Sequence, residues 1–119
     1  MKPEIKQKWV EALRSGEYSQ GKLSLYDGTN YCCLGVLCNL YMNEKNETWY
    51  YLTGEICSDS YYCNGESELL PEYVMDWAEL NRQDPLVNEN SLHFNSLVGL
   101  NDTLNYTFAQ IADVIEAQF

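Results

Sequence analysis

The stretch YCCLGVLC, residues 31–38, constrains the fold more than any other: Cys32, Cys33 and Cys38 sit among apolar neighbours with no charge between them. A run of this kind has to be taken out of water, so the rest of the chain must wrap it. Leu34, Leu37, Cys38 and Tyr41 recur at the i, i+3, i+4, i+7 spacing of one helical face. That periodicity predicts a strand end leading into a buried helix, with Cys38 on the inward stripe. The longest apolar stretch, around Leu34 to Leu37, falls far short of the roughly 20 residues that cross a bilayer. No apolar leader follows the basic N-terminus, so the expectation is a soluble, unexported protein of the cytoplasm with no membrane contact.

In a reducing cytosol disulfides rarely persist, and five cysteines cannot all pair within one chain. The spacing of Cys32, Cys33, Cys38, Cys57 and Cys63 fits no common zinc module, and the single His93 cannot supply a two-histidine site. The favoured reading is packing, with free cysteine acting as a small apolar residue. Metal or redox chemistry, and a loop closed by Cys57 and Cys63, are the alternatives.

At 119 residues, 45% of them apolar, the chain is long enough for one core and too short for two, so residues 1–119 are expected to form a single domain. Ile5, Trp9, Ala12 and Leu13 mark a first helix, with Pro3 suited to its first turn and Gly16 to its end. Two short strands are predicted around Asp27-Gly28, and a loose hairpin or pair of edge strands within residues 44–68, where TWYYL concentrates strand-favouring side chains. A short helix begins at Pro71, and NRQDPLVNEN reads as a loop. Near the C-terminus Thr107 and Gln110 form a capping-box pattern ahead of the stripe Phe108, Ile111, Ala112 and Ile115. The fold class is α+β, with about three to four helices packed on a short antiparallel sheet or hairpins.

Charge narrows the functional classes. The formal net charge is -11, which argues against direct binding of DNA or RNA backbone. Residues 1–22 nevertheless hold five of the seven cations (Lys2, Lys6, Lys8, Arg14, Lys22) against three carboxylates, while residues 23–119 hold fifteen carboxylates against Lys45 and Arg82. An anionic ligand therefore belongs near the N-terminal segment. TFAQIADVI resembles the first helix of a helix-turn-helix, but with no recognition helix in the sequence after it and an acidic segment that phosphate would repel, DNA binding through that motif is not expected. No phosphate-cradling, dinucleotide, nucleophile-elbow or HExxH pattern occurs, and neither His93 nor any carboxylate is singled out as catalytic.

Two polar groupings remain. RSGEYSQGK places Arg14, Ser15, Tyr18, Gln20 and Lys22 in a glycine-punctuated loop that suits an anion or polar ligand. The plainer alternative is that Ser15 and Gly16 only end the helix. Asn101 and Asp102 either cap and turn the chain or read a base or ribose edge. Trp9 and Trp77 are candidate stacking faces, although Trp9 also lies on the core stripe of the first helix.

KWVEALRSGEYSQGK, YCCLGVLCNLY, LPEYVMDWAEL and LND…FAQIADVIE, in that order, resemble a widespread family of small proteins encoded by phages and prophages. The resemblance spans most of the chain except residues 43–68 and 82–94, and it brings no catalytic residues with it. It implies host takeover or anti-defence, including sponges that sequester nucleotide immune signals. Three readings follow. The first is a binder of a small nucleotide-like signal that uses Arg14 and Lys22 on phosphate, with no cofactor. The second is an acidic mimic of nucleic acid that occupies a host defence protein. The third is a hydrolase of such a signal. A homo-oligomer is compatible with each.

Overall fold

The structure, a computed structural model, describes residues 1–53, 59–87 and 95–119. Helix α1 (Pro3–Arg14) opens with proline in its first turn, where the missing N–H costs nothing. It stops at Ser15, whose hydroxyl donates to the Ala12 carbonyl at 2.7 Å, and the chain turns away through Gly16 at φ +79°. Helix α2 (Cys33–Lys45) is the centre of the molecule. Cys33, Leu34, Gly35, Val36, Leu37, Cys38, Tyr41 and Met42 are all buried, so the stripe read from the sequence is one side of a helix that is covered nearly all round.

Strands β1 (Tyr50–Leu52) and β2 (Ser60–Tyr62) form an antiparallel ribbon, with Tyr50 opposite Tyr62 and Tyr51 opposite Tyr61. After it come α3 (Glu72–Ala78), the short antiparallel pair β3 (Leu86–Val87) and β4 (Asn95–Ser96), α4 (Leu97–Asp102) and α5 (Phe108–Gln118). Thr107 and Gln110 make the reciprocal capping box at the start of α5. Helix α1 lies against α5 and α2, while α2 also meets α3 and α4. One hydrophobic core unites these elements, with Trp9, Leu34, Leu37, Leu97, Ile111 and Ile115 among its fully buried side chains.

The architecture is α+β, as the sequence implies, with two differences in detail. Five helices are present among the described residues, and they pack chiefly on one another rather than on a sheet. The unforeseen one is α4, a short helix capped by the Ser96 hydroxyl, which accepts from the Gly99 N–H at 3.0 Å. The second difference is the hairpin expected around Asp27-Gly28, which reduces to isolated bridges at Tyr31. Its ladder partners are already engaged: Tyr31 pairs with Ser19 and Gly21, and the Leu25 N–H donates to the Ser67 carbonyl at 2.8 Å. This segment lies directly on α2, where a Cβ added to Gly35 would stand 1.7 Å from the Leu25 carbonyl oxygen. Cys57 and His93, named above, lie outside the described residues. No helix among those residues is long and apolar enough to cross a membrane.

Candidate functional site

The residues predicted to form a ligand cradle separate into three places. At the end of α1, the Arg14 guanidinium donates to Asp113 and Glu116 of α5, each at 2.7 Å. Hydrogen bonds to Asp113 and then Glu116 stabilise the cation and raise its pKa. Ser15 serves the helix end, its hydroxyl also accepting the Glu17 N–H at 3.1 Å. Beside Arg14, a hollow of about 450 Å³ runs along α1, with Lys6, Gln7, Glu11 and Glu116 on its walls. Cations and carboxylates therefore face the same space.

The second place is a buried polar junction. Asn101 is fully buried. Its amide oxygen accepts from Gln20 Nε2 at 2.9 Å and from the Cys33 N–H at 3.3 Å. Its amide nitrogen donates to the Gly21 carbonyl and to Asp102, both at 2.8 Å. Gln20 completes the tie by donating to the Tyr106 carbonyl at 2.7 Å and accepting the Phe108 N–H at 3.0 Å. Asp102 accepts the N–H of Leu23 at 3.1 Å. Lys22 reaches Asn105 rather than Arg14. The structure thus brings Gln20, Asn101 and Asp102 together, with Lys22 held apart on Asn105, and the polar atoms of the three serve one another and the backbone, joining the 15–32 segment to α4 and α5. Among the described residues no buried side-chain polar atom lacks a partner.

The aromatic candidates are placed elsewhere. Trp9 has no exposed surface, and its Nε1–H donates to the Cys33 carbonyl at 2.9 Å, so neither ring face is open to a ligand. Trp77 packs edge-on against Tyr41 and donates to Glu44 at 2.6 Å. Tyr18 accepts from Asn39 at 2.9 Å and meets the Tyr31 ring edge-on. Burial, with smaller contributions from Tyr26 and Tyr18, pushes the Tyr31 phenol up to about 12. Cys32, Cys33, Cys38 and Cys63 are free and buried. Burial raises the Cys32 thiol to about 11 and those of Cys33 and Cys38 well above the ordinary value. Neutral thiols of this kind are poor nucleophiles and poor metal ligands.

A further place, holding none of the predicted residues, was not legible as a site. Tyr51 and Tyr61 stand 4.7 Å apart on one face of the β1–β2 ribbon, and Tyr26 stands 4.8 Å from Tyr61. Together with Asp27 and Asp59 they line a cavity of about 250 Å³. Asp27 Oδ1 accepts the N–H groups of Thr29 at 2.9 Å and Asn30 at 2.7 Å, forming the turn that presents its carboxylate. Gly28, at φ +100°, lets the chain pass the Tyr61 ring, which a Cβ would meet at 3.0 Å. The Asn30 and then the Thr29 backbone hydrogen bonds hold the Asp27 carboxyl below its ordinary pKa. Near Asp59, desolvation and then the carboxylate's charge raise the Tyr51 phenol. The sequence does carry a signal here: residues 46–81 contain neither lysine nor arginine, while the tyrosines cluster in YY pairs at 50–51 and 61–62.

No curated protein and no solved structure matches the chain. The matching family is described as a domain of unknown function, DUF8296, and the match runs from residue 1 to residue 119. The chain, with the Arg14 cation of α1 paired to carboxylates of α5 and its tyrosine-lined ribbon beside Asp27 and Asp59, belongs to that family over its whole length.

Proposed function

We propose that this protein is a non-enzymatic binding module whose anionic surface occupies the nucleic-acid-binding face of a basic partner. The observation that carries the reading is a row of exposed carboxylates on α3. Glu72 and Asp76 stand four residues apart on one face of α3, Glu79 follows in the left-handed turn that ends the helix (φ +58°), and none of the ion pairs among the described residues involves the three. Four residues of helix advance by about 6 Å, so Glu72 and Asp76 present spaced negative charge on one face and Glu79 adds a third charge at the helix end, a succession of anions such as a nucleic-acid backbone offers. Arg14, by contrast, is already neutralised from within. In the phage setting implied by the sequence resemblance, the partner is a host DNA-binding or defence protein.

The test is displacement. The protein is titrated into a complex of a small basic DNA-binding protein with a fluorescent duplex. Release of the duplex that weakens as salt rises, and that is reduced in a Glu72→Gln, Asp76→Asn, Glu79→Gln triple variant, supports the reading. No release at low salt overturns it.

A second reading, sequestration of a small nucleotide-like signal, is favoured by the hollow of about 450 Å³ beside Lys6 and Arg14, a size within the range of ligand sites. Calorimetry with cyclic and ADP-ribose-type nucleotides tests it. Binding weakened by Arg14→Ala supports sequestration, and the absence of heat across the panel removes it.

A further inference from the structure

The β1–β2 ribbon is an unusual use of aromatic side chains. Tyr50, Tyr51 and Leu52 are exposed along the whole of β1, and both ribbon faces carry tyrosine because strand residues alternate in direction. Such rings contribute little to the core. Tyrosine is also a side chain that binding surfaces favour, since it offers a large, rigid contact area at low entropic cost.

Which partner fits follows from charge and size. The cavity between Tyr26, Tyr51 and Tyr61 is bordered by Asp27 and Asp59, and neither carboxylate takes part in an ion pair among the described residues. Two carboxylates exclude a phosphate. At about 250 Å³ the space is below the roughly 300 Å³ at which small-molecule sites begin, so it suits one side-chain head group. Ring faces carry negative potential and attract cations. A planar guanidinium both stacks on such a face and offers a carboxylate two parallel donors, which a lysine ammonium does not.

We propose that this cavity receives an arginine side chain of the protein partner, its guanidinium lying against the touching Tyr51 and Tyr61 rings and facing the Asp27 and Asp59 carboxylates. The inference rests on the reading of the protein as an anionic binder of a basic partner, and supplies that surface with one specific contact. The α3 row provides attraction at a distance, and the ribbon provides the preference for arginine.

The experiment uses the full chain and three peptides identical except at one class of position: arginine, lysine or the uncharged isostere citrulline, with glycine and serine spacers. Binding is followed by NMR of the tyrosine rings. The arginine peptide is expected to shift the Tyr26, Tyr51 and Tyr61 signals and to bind at least about fivefold more tightly than the lysine peptide, with citrulline binding lost. Tyr61→Leu is expected to lower arginine-peptide affinity about tenfold. Asp59→Asn, at an exposed position that leaves the core untouched, is expected to lower it several-fold. Equal binding of arginine and lysine peptides, or affinity unchanged in both variants, overturns the inference. If duplex displacement persists in that case, the anionic-mimic reading survives without the pocket. If the arginine preference is present and displacement is absent, the pocket stands and mimicry is overturned.

Discussion

Around Asn101 the molecule buries a polar side chain and satisfies every one of its polar atoms, whereas the β1–β2 ribbon leaves Tyr50, Tyr51 and Leu52 at 63%, 48% and 41% exposure. The first region joins segments distant in sequence, since Gln20 meets Asn101 across 81 positions. The second joins two neighbouring strands to each other and leaves their aromatic rings in water. Buried polar groups that are fully paired fix a geometry and offer nothing to a ligand. Exposed aromatic groups do little for folding and are available for contact. Polarity at the junction therefore marks side chains that the fold itself uses, whereas exposed aromatic area on the ribbon marks side chains that the fold leaves available.

The sharpest way to break the comparison is at the junction's floor. Gly35→Ala sets a methyl group 1.7 Å from the Leu25 carbonyl oxygen, which is backbone and cannot rotate away. Overpacking of this severity is expected to cost about 3 kcal/mol, at or beyond the upper end of the usual range, because the 20–31 segment must lift from α2. Urea unfolding measures it, and a loss under about 1 kcal/mol would show that the segment is not clamped. Asn101→Ala follows, at about 2–3 kcal/mol, because the Cys33 N–H and the Gly21 carbonyl lose their partner inside the protein. Asn101→Asp keeps the acceptor but loses the donor to the Gly21 carbonyl and buries a second carboxylate against Asp102, and is expected to recover little.

Alkaline pH probes the same region at a slightly smaller scale. The Cys32 thiol, 3% exposed, is raised from 9.0 to about 11 by burial. The unfolded chain therefore loses this proton above about pH 9 while the folded chain keeps it, so stability is fully present below pH 9 and falls as pH rises toward 11. A rise of that size corresponds to about 2–3 kcal/mol at the upper limit. Cys33 and Cys38 act in the same direction. Cys32→Ala is expected to flatten the pH 9–11 limb of the stability curve relative to the unsubstituted protein. An unchanged limb would mean that the thiol is not held in its neutral form.

The helices were legible where local chemistry and periodicity agree. Pro3 and Gly16 bracket α1, and Thr107 with Gln110 opens α5, each through contacts within a few residues. Helix α2 was legible only in part: four positions mark one stripe, yet Val36 and Met42 on its other sides are buried as well, because α1, α3 and α4 all pack on it. The two strands expected around Asp27-Gly28, within residues 21–33, reduce to isolated bridges because the backbone partners of that segment, such as Ser67, are remote in sequence. The same reason hid the fate of Gln20, Asn101 and Asp102. Their residue types announce hydrogen bonding but not with what. Tyr51, Tyr61 and Asp59 were visible as strand formers and as charge, while their meeting with Tyr26 and Asp27 depends on how the ribbon folds over the Asp27–Asn30 turn.

The smallest expected effect is the most informative about the ribbon. In a Tyr50→Ser, Leu52→Ser double variant, both side chains are replaced on the face opposite Tyr51 and Tyr61, at positions already 63% and 41% exposed. Little apolar area returns to water, and the cross-strand pairing of Tyr50 with Tyr62 is worth only about 0.2–1 kcal/mol. The expected loss is therefore below about 1 kcal/mol, within the ordinary range for surface changes. Urea unfolding would then give a midpoint close to that of the unsubstituted protein, far from that of Gly35→Ala. A loss above about 2 kcal/mol would place the ribbon within the cooperative core, and its exposed rings would then need no partner to account for them.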